Sequence, residues 1–177
     1  MSTRTARYDV SSQRVIVVMG VAGTGKTTVG RLLAEALRVP YAEGDAFHPE
    51  ANVAKMSAGT PLDDADRWPW LDAIGEWIRR GADLRGGIVA ASSLKRSYRD
   101  RLRSFAPGVV FVHLTGERPL IERRMAERKG HFMPTTLLDS QFATLERLQP
   151  DELGVAVDVR GAPEEITRRA LDALHRI

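Results

Sequence analysis

Apolar residues along this 177-residue chain follow two rhythms. Short runs over 14–19 ("RVIVVM"), 39–42, 87–92 ("GIVAAS"), 108–114 ("GVVFVHL") and 155–159 ("VAVDV") are apolar at successive positions, the pattern of strands buried on both faces. Between them, apolar residues recur three and four apart, which predicts helices over 26–37, across stretches of 48–80, and over 95–104, 117–128, 134–147 and 162–177. Such alternation predicts an α/β fold: a five-stranded, mainly parallel sheet, doubly wound, with helices on both faces. Ligands of such sheets bind beyond the carboxyl ends of the strands. The excursion from 40 to 87 predicts inserted helices, over about 43–86, within a single domain spanning 1–177 whose first 13 residues are expected to fray.

Composition changes this picture little. Lysine and arginine total 26 against 23 acidic residues, a net charge of +3, and cysteine is absent. That excludes disulfides and thiolate metal sites and is compatible with a reducing cytoplasm. No stretch reaches the roughly 20 apolar residues of a membrane span, and "MSTRTARYDVSSQ" lacks the apolar core of a secretory signal, so a cytoplasmic protein without a membrane partner is expected. Only four basic residues are lysines, Lys26, Lys55, Lys95 and Lys129; in an arginine-using chain these mark positions where a compact ammonium serves better than a guanidinium fork.

The chemistry begins after the first strand. "GVAGTGKTT" comprises Gly20, Val21, Ala22, Gly23, Thr24, Gly25, Lys26, Thr27 and Thr28, and it satisfies G-x-x-x-x-G-K-[ST] between a predicted strand and a predicted helix. Glycines let main-chain amides converge on phosphate oxygens, Lys26 adds a mobile positive charge, and Thr27 offers a hydroxyl to Mg²⁺. ATP and Mg²⁺ are the cofactors this implies. Past the second strand, Asp45 is placed to orient an attacking hydroxyl and take its proton, or to cap the following helix; His48 is a ligand or a packed loop histidine.

Four separated segments, "GDAFHPEANVAKM", "GTPLDDADRWPWL", "SSLKRSYRDRLR" and "ERKGHFMP…LLDSQFATLE", resemble the gluconate kinases, relatives of shikimate and adenylate kinases, from about Val15 to the last helix. The resemblance implies a three-layer P-loop fold like that of nucleoside monophosphate kinases, with inserted substrate-binding helices and a short lid at about 128–135. It also implies ATP-dependent phosphorylation of D-gluconate at the 6-hydroxyl, feeding the pentose phosphate or Entner-Doudoroff routes, and a homodimer. Two positions depart from the family pattern: Glu43 stands where aspartate is usual, which puts its share in a Mg²⁺-water shell with Asp45 in question, and Ala91 replaces a common cysteine.

On this reading Arg67 is a fork for the substrate carboxylate, or else the ion-pair partner of Asp63, Asp64 or Asp66. Ser92 and Lys95 face the crevice, with Lys95 a second cation for the acid. Lys55 reaches substrate or pairs with Glu50. Trp68, Trp70 and Trp77 are expected in packing. Carried over from kinases of this fold, Arg124 lies against adenine and Arg128 approaches the transferring phosphoryl group; alternatively both pair with Glu117, Glu122 or Glu127. His131 touches substrate or fastens the lid. Arg96, Arg99, Arg101 and Arg103 are expected on a solvated face rather than as an RNA-binding stripe, so no nucleic-acid partner is expected.

Overall fold

The computed structural model of the protein describes residues 14–128 and 135–177. The N-terminal segment 1–13 and the lid centre, with Lys129, His131 and Phe132, lie outside the described residues. Five apolar runs form the strands β1 (Val15–Met19), β2 (Tyr41–Glu43), β3 (Gly87–Ala90), β4 (Val110–Thr115) and β5 (Gly154–Asp158). They pair in the order β2-β3-β1-β4-β5, every neighbour parallel. β1 is central, Ile16 standing opposite Ile88 on one side and Val110 on the other, so all five of its residues are buried.

Because side chains alternate across a strand, β1 feeds two cores. Val15, Val17 and Met19 pack with Trp70, Leu71, Ile74 and Ile78 of α3 (Asp64–Asp83) and with Tyr98 and Leu102 of α4 (Arg96–Phe105). Ile16 and Val18 meet Val29 and Leu33 of α1 (Lys26–Leu37) and Ile166 and Ala170 of α7 (Pro163–Leu174). A smaller cluster of Val21, Leu94, Ile121 and Leu138 joins α5 (Arg118–Glu127) and α6 (Thr135–Thr144) to the phosphate loop.

The helical region after β2 starts later than its periodicity predicts. Gly44–Phe47 is a 3₁₀ turn, His48 is extended, and the helices are α2 (Glu50–Ser57) and α3. Asp63 and Asp66 start α3 with a reciprocal capping box, each carboxylate accepting the other's backbone N–H. α6 ends at Thr144 rather than 147, because the Glu146 N–H leaves the helix to donate to Leu94 O at 2.8 Å.

The expectation of a solvated arginine face on α4 is corrected at Arg99, which is wholly buried. Its Nε and Nη2 donate to the two Glu152 oxygens at 2.7 and 3.0 Å, while Nη1 donates to the carbonyls of Ser93 and Leu94 at 2.9 and 3.2 Å. Burial pushes the Glu152 carboxyl up, but Arg99, the Gln149 N–H and Arg103 outweigh it and bring its pKa down to about 2. The same grip secures a turn in which Ser93 holds φ at +46°, a conformation unfavourable for serine. Arg96 and Arg101 lie toward solvent in ion pairs with Asp151 and Asp72.

Candidate active site

The phosphate loop is built by close approach. Gly20 has φ +144°, and a Cβ there would lie 2.8 Å from Leu114 O, so a side chain would push the loop off β4. Its N–H donates to Ser92 O at 3.2 Å, joining the loop to the end of β3. Buried Thr24 folds the loop on itself, Oγ1 donating to Val21 O at 2.9 Å. Gly25 N-caps α1 without a side-chain acceptor, which keeps the first-turn N–H groups available to an anion. Lys26 Nζ donates to Val21 O at 3.0 Å. Burial, helped by the Arg128 charge and opposed by Asp45 and Glu43, lowers the Lys26 pKa to about 8.

Beyond the strand ends opens a cleft of about 610 Å³ whose walls include Lys26, Thr27, Glu43, Asp45, Ser92 and Arg128. Gly44 makes this wall possible: a Cβ would run into Ala90 O, so only glycine lets the chain pass the end of β3 with Glu43 and Asp45 on either side. Thr27 Oγ1 donates to Glu43 Oε2 at 2.7 Å, and Tyr41 OH donates to the same oxygen at 2.6 Å. Burial and the Glu43 carboxylate push the Tyr41 hydroxyl up to about 12. A hydroxyl and two carboxylates are hard oxygen donors that fit Mg²⁺. Among the described residues no group of three His, Cys, Asp or Glu side chains could hold a metal ion.

Next to the cleft, and sharing Gly23 and Thr28 with it, a pocket of about 220 Å³ is lined also by Arg124, Gly161 and Pro163, and Arg124 Nη2 donates to Gly161 O at 3.1 Å. Arg128, four residues on, lines both spaces.

His48, Lys55, Arg67 and Lys95 are not in the cleft wall itself. His48 stacks on Trp70 with ring centroids 4.6 Å apart and exchanges a 3.1 Å hydrogen bond with Asn52; burial lowers its pKa and favours the neutral ring. Trp70 Nε1 donates to Gly44 O at 2.8 Å, fixing the turn beside Asp45. Lys55 pairs with Asp66 at 2.8 Å, not with Glu50. Arg67 makes none of the three ion pairs open to it by sequence; its Nη1 donates to Tyr98 OH at 3.1 Å. Tyr98 OH in turn donates to Asp64, which also accepts from Lys95 at 3.1 Å. Arg67 and Lys95 thus both lie against the Tyr98 ring, 5.7 and 5.5 Å from its centroid.

Two residues near the site are not singled out from the sequence, although both fall in segments that carry the resemblance: Tyr98, and Gln141, which lies 119 positions from Ala22 and accepts a 2.6 Å hydrogen bond from its N–H through Oε1.

A parallel sheet of this order, with its phosphate loop after the central strand and carboxylates at the end of β2, defines a P-loop kinase. The AAA domain family model matches residues 15–148. The chain is 47% identical over 154 residues to the gluconokinase of Gluconobacter oxydans (strain 621H), with 86% of each chain covered. A crystal structure of a gluconokinase from Sinorhizobium meliloti 1021 superimposes with a TM-score of 0.86 at 50% identity, covering 93% of each chain. The shikimate kinase of Aquifex aeolicus shares the fold, at TM-score 0.59 and 15% identity. This chain belongs to the gluconokinase family.

Proposed function

We propose that the chain phosphorylates D-gluconate at its 6-hydroxyl with ATP, giving 6-phospho-D-gluconate and ADP. The observation that carries this reading, given the family, is the convergence of Lys26, Asp45 and Arg128 on one cleft beside the phosphate loop. Asp45 accepts the proton of the 6-hydroxyl as its oxygen bonds to the γ-phosphorus; the bond from that phosphorus to the bridging oxygen breaks, and ADP leaves with the electron pair. The ammonium of Lys26 and the guanidinium of Arg128 balance charge on the transferring group, and the amides of the loop and of the first turn of α1 hold the remaining phosphates. Thr27 would hold Mg²⁺, with Glu43 or Asp45 through water, and the ion would supply charge neutralisation on the phosphates.

Arg67 and Lys95 bind the gluconate carboxylate together, a role supported by their shared neighbour Tyr98. The Lys95–Asp64 pair is partly exposed and therefore readily exchanged for substrate. Arg124 lies against the adenine ring at the Gly161 turn. A cytoplasmic homodimer belongs to the same reading, and light scattering should give twice the 19.6 kDa chain mass. A coupled ADP-release assay across gluconate, other aldonates, shikimate, glucose and nucleoside monophosphates tests the activity. Turnover of gluconate above all others is expected; turnover of another acceptor with gluconate inert would overturn it.

A further inference from the structure

Ala22 belongs to the phosphate loop, and its N–H is engaged by a side chain from α6, the 2.6 Å hydrogen bond to Gln141 Oε1. Both residues line the cleft that holds Lys26, Asp45, Ser92 and Arg128. Neither lines the pocket beside Arg124 and Gly161, although Gly23, Gly25 and Arg128 border both spaces. The Ala22 donor therefore faces the space shared with Lys26 and Asp45, where transfer of a terminal phosphate would take place, and not the pocket beside Arg124 and Gly161.

We propose that Gln141 is a specificity-determining residue that stands in for the γ-phosphate. Its amide oxygen satisfies the Ala22 N–H when no phosphate is there, and a γ-phosphate oxygen takes over that donor when ATP binds. A partly buried N–H left without an acceptor is costly, so the stand-in lets the loop bind ADP, or nothing, without an orphaned donor. ATP must displace Gln141 and ADP need not, so the residue narrows the preference of the empty loop for triphosphate and eases the return to the ADP state after transfer. The inference rests on the phosphoryl-transfer reading of the cleft but not on the identity of the acceptor.

The test is equilibrium binding of the non-hydrolysable β,γ-imido analogue of ATP and of ADP, each with Mg²⁺ and without gluconate, to wild-type protein, Q141L and Q141E. Q141L removes the competing acceptor; it should bind the triphosphate analogue roughly three- to tenfold more tightly, the worth of one hydrogen bond, and ADP within about twofold of wild type. Q141E keeps an acceptor on Ala22 and adds a negative charge, so it should bind the analogue more weakly by a similar factor. A purely supporting role for Gln141 gives another pattern: Q141L binds the analogue no better than wild type, Q141E resembles wild type, and the proposal is overturned. Because gluconate is absent, failure of gluconate turnover leaves this result standing.

Discussion

The Thr27 hydroxyl donates to the Glu43 carboxylate across 2.7 Å, tying the first turn of α1 to the end of β2. The longer side chain at position 43, where the family usually has aspartate, thus reaches the residue that would hold Mg²⁺, and Tyr41 steadies it from the other side. Glu43→Gln keeps the shape and removes the charge. The Mg²⁺ concentration needed for half-maximal turnover should rise about tenfold or more, the usual effect of losing a group that orients a metal ligand. An unchanged Mg²⁺ titration would detach Glu43 from the metal.

Asp45→Asn should lower kcat by about two to four orders of magnitude while ATP affinity changes little, because a general base acts in the transition state and not on the bound nucleotide. Rapid-quench turnover together with nucleotide titration separates the two effects. A kcat near wild type would remove Asp45 from the base role.

Lys26 sets a pH dependence. With its pKa lowered to about 8 by burial, it is roughly nine-tenths protonated at pH 7 and one-tenth at pH 9. A triphosphate needs the ammonium and raises that pKa on binding, so ATP affinity should fall as pH climbs above 8. Binding at pH 8 should take up about half a proton, visible as a buffer-dependent enthalpy in calorimetry. Lys26→Met should abolish that uptake and damage both affinity and turnover.

Arg67→Ala should raise the KM for gluconate tenfold or more with the KM for ATP within about twofold, since a guanidinium–carboxylate contact is lost and the phosphate loop untouched. Equal damage to both constants would make Arg67 a structural support for Tyr98 rather than a substrate ligand.

Arg99→Leu leaves the buried Glu152 carboxylate to Arg103 and the Gln149 N–H and should cost about 3 kcal/mol, the low end for a broken buried pair, read from chemical denaturation. Replacing Glu152 by Gln as well should restore part of it. The pair also sets an acid limit: the Glu152 pKa is depressed to about 2 from an ordinary value near 4.5, so its stabilisation is complete above about pH 5 and is lost as pH falls toward 2.

What could be read without coordinates follows from how local each feature is. The strand-loop-helix around Lys26 is contiguous, and five apolar runs spell out the sheet. Asp45 was reachable from its place past a strand end, whereas Arg128 came from the resemblance to kinases of this fold, helix spacing adding only that it shares a face with Arg124. Partners were harder: Arg67 stands beside three aspartates yet bonds to Tyr98, 31 positions away, because Asp66 is occupied by the α3 cap and Lys55, and Asp64 by Lys95 and Tyr98. Arg99 reads as surface charge among other arginines. The available signal was its place between Tyr98 and Leu102 on the apolar stripe of α4. Gln141 reaches the loop only through the path of α6, which no spacing along the chain reveals.

The strand order has an evolutionary reading. β1 divides the sheet, so Asp45, Arg67 and Lys95 come from connections on the β2 and β3 flank, while Arg124 and Gly161 come from the β4 and β5 flank. On the proposed roles, mutations that retune the acceptor can accumulate on the first flank, outside Glu43 and Asp45, without disturbing the second. A new sugar-acid preference should therefore be selectable by randomising the connections after β2 and β3 with Asp45 held fixed, the nucleotide-holding half being inherited intact.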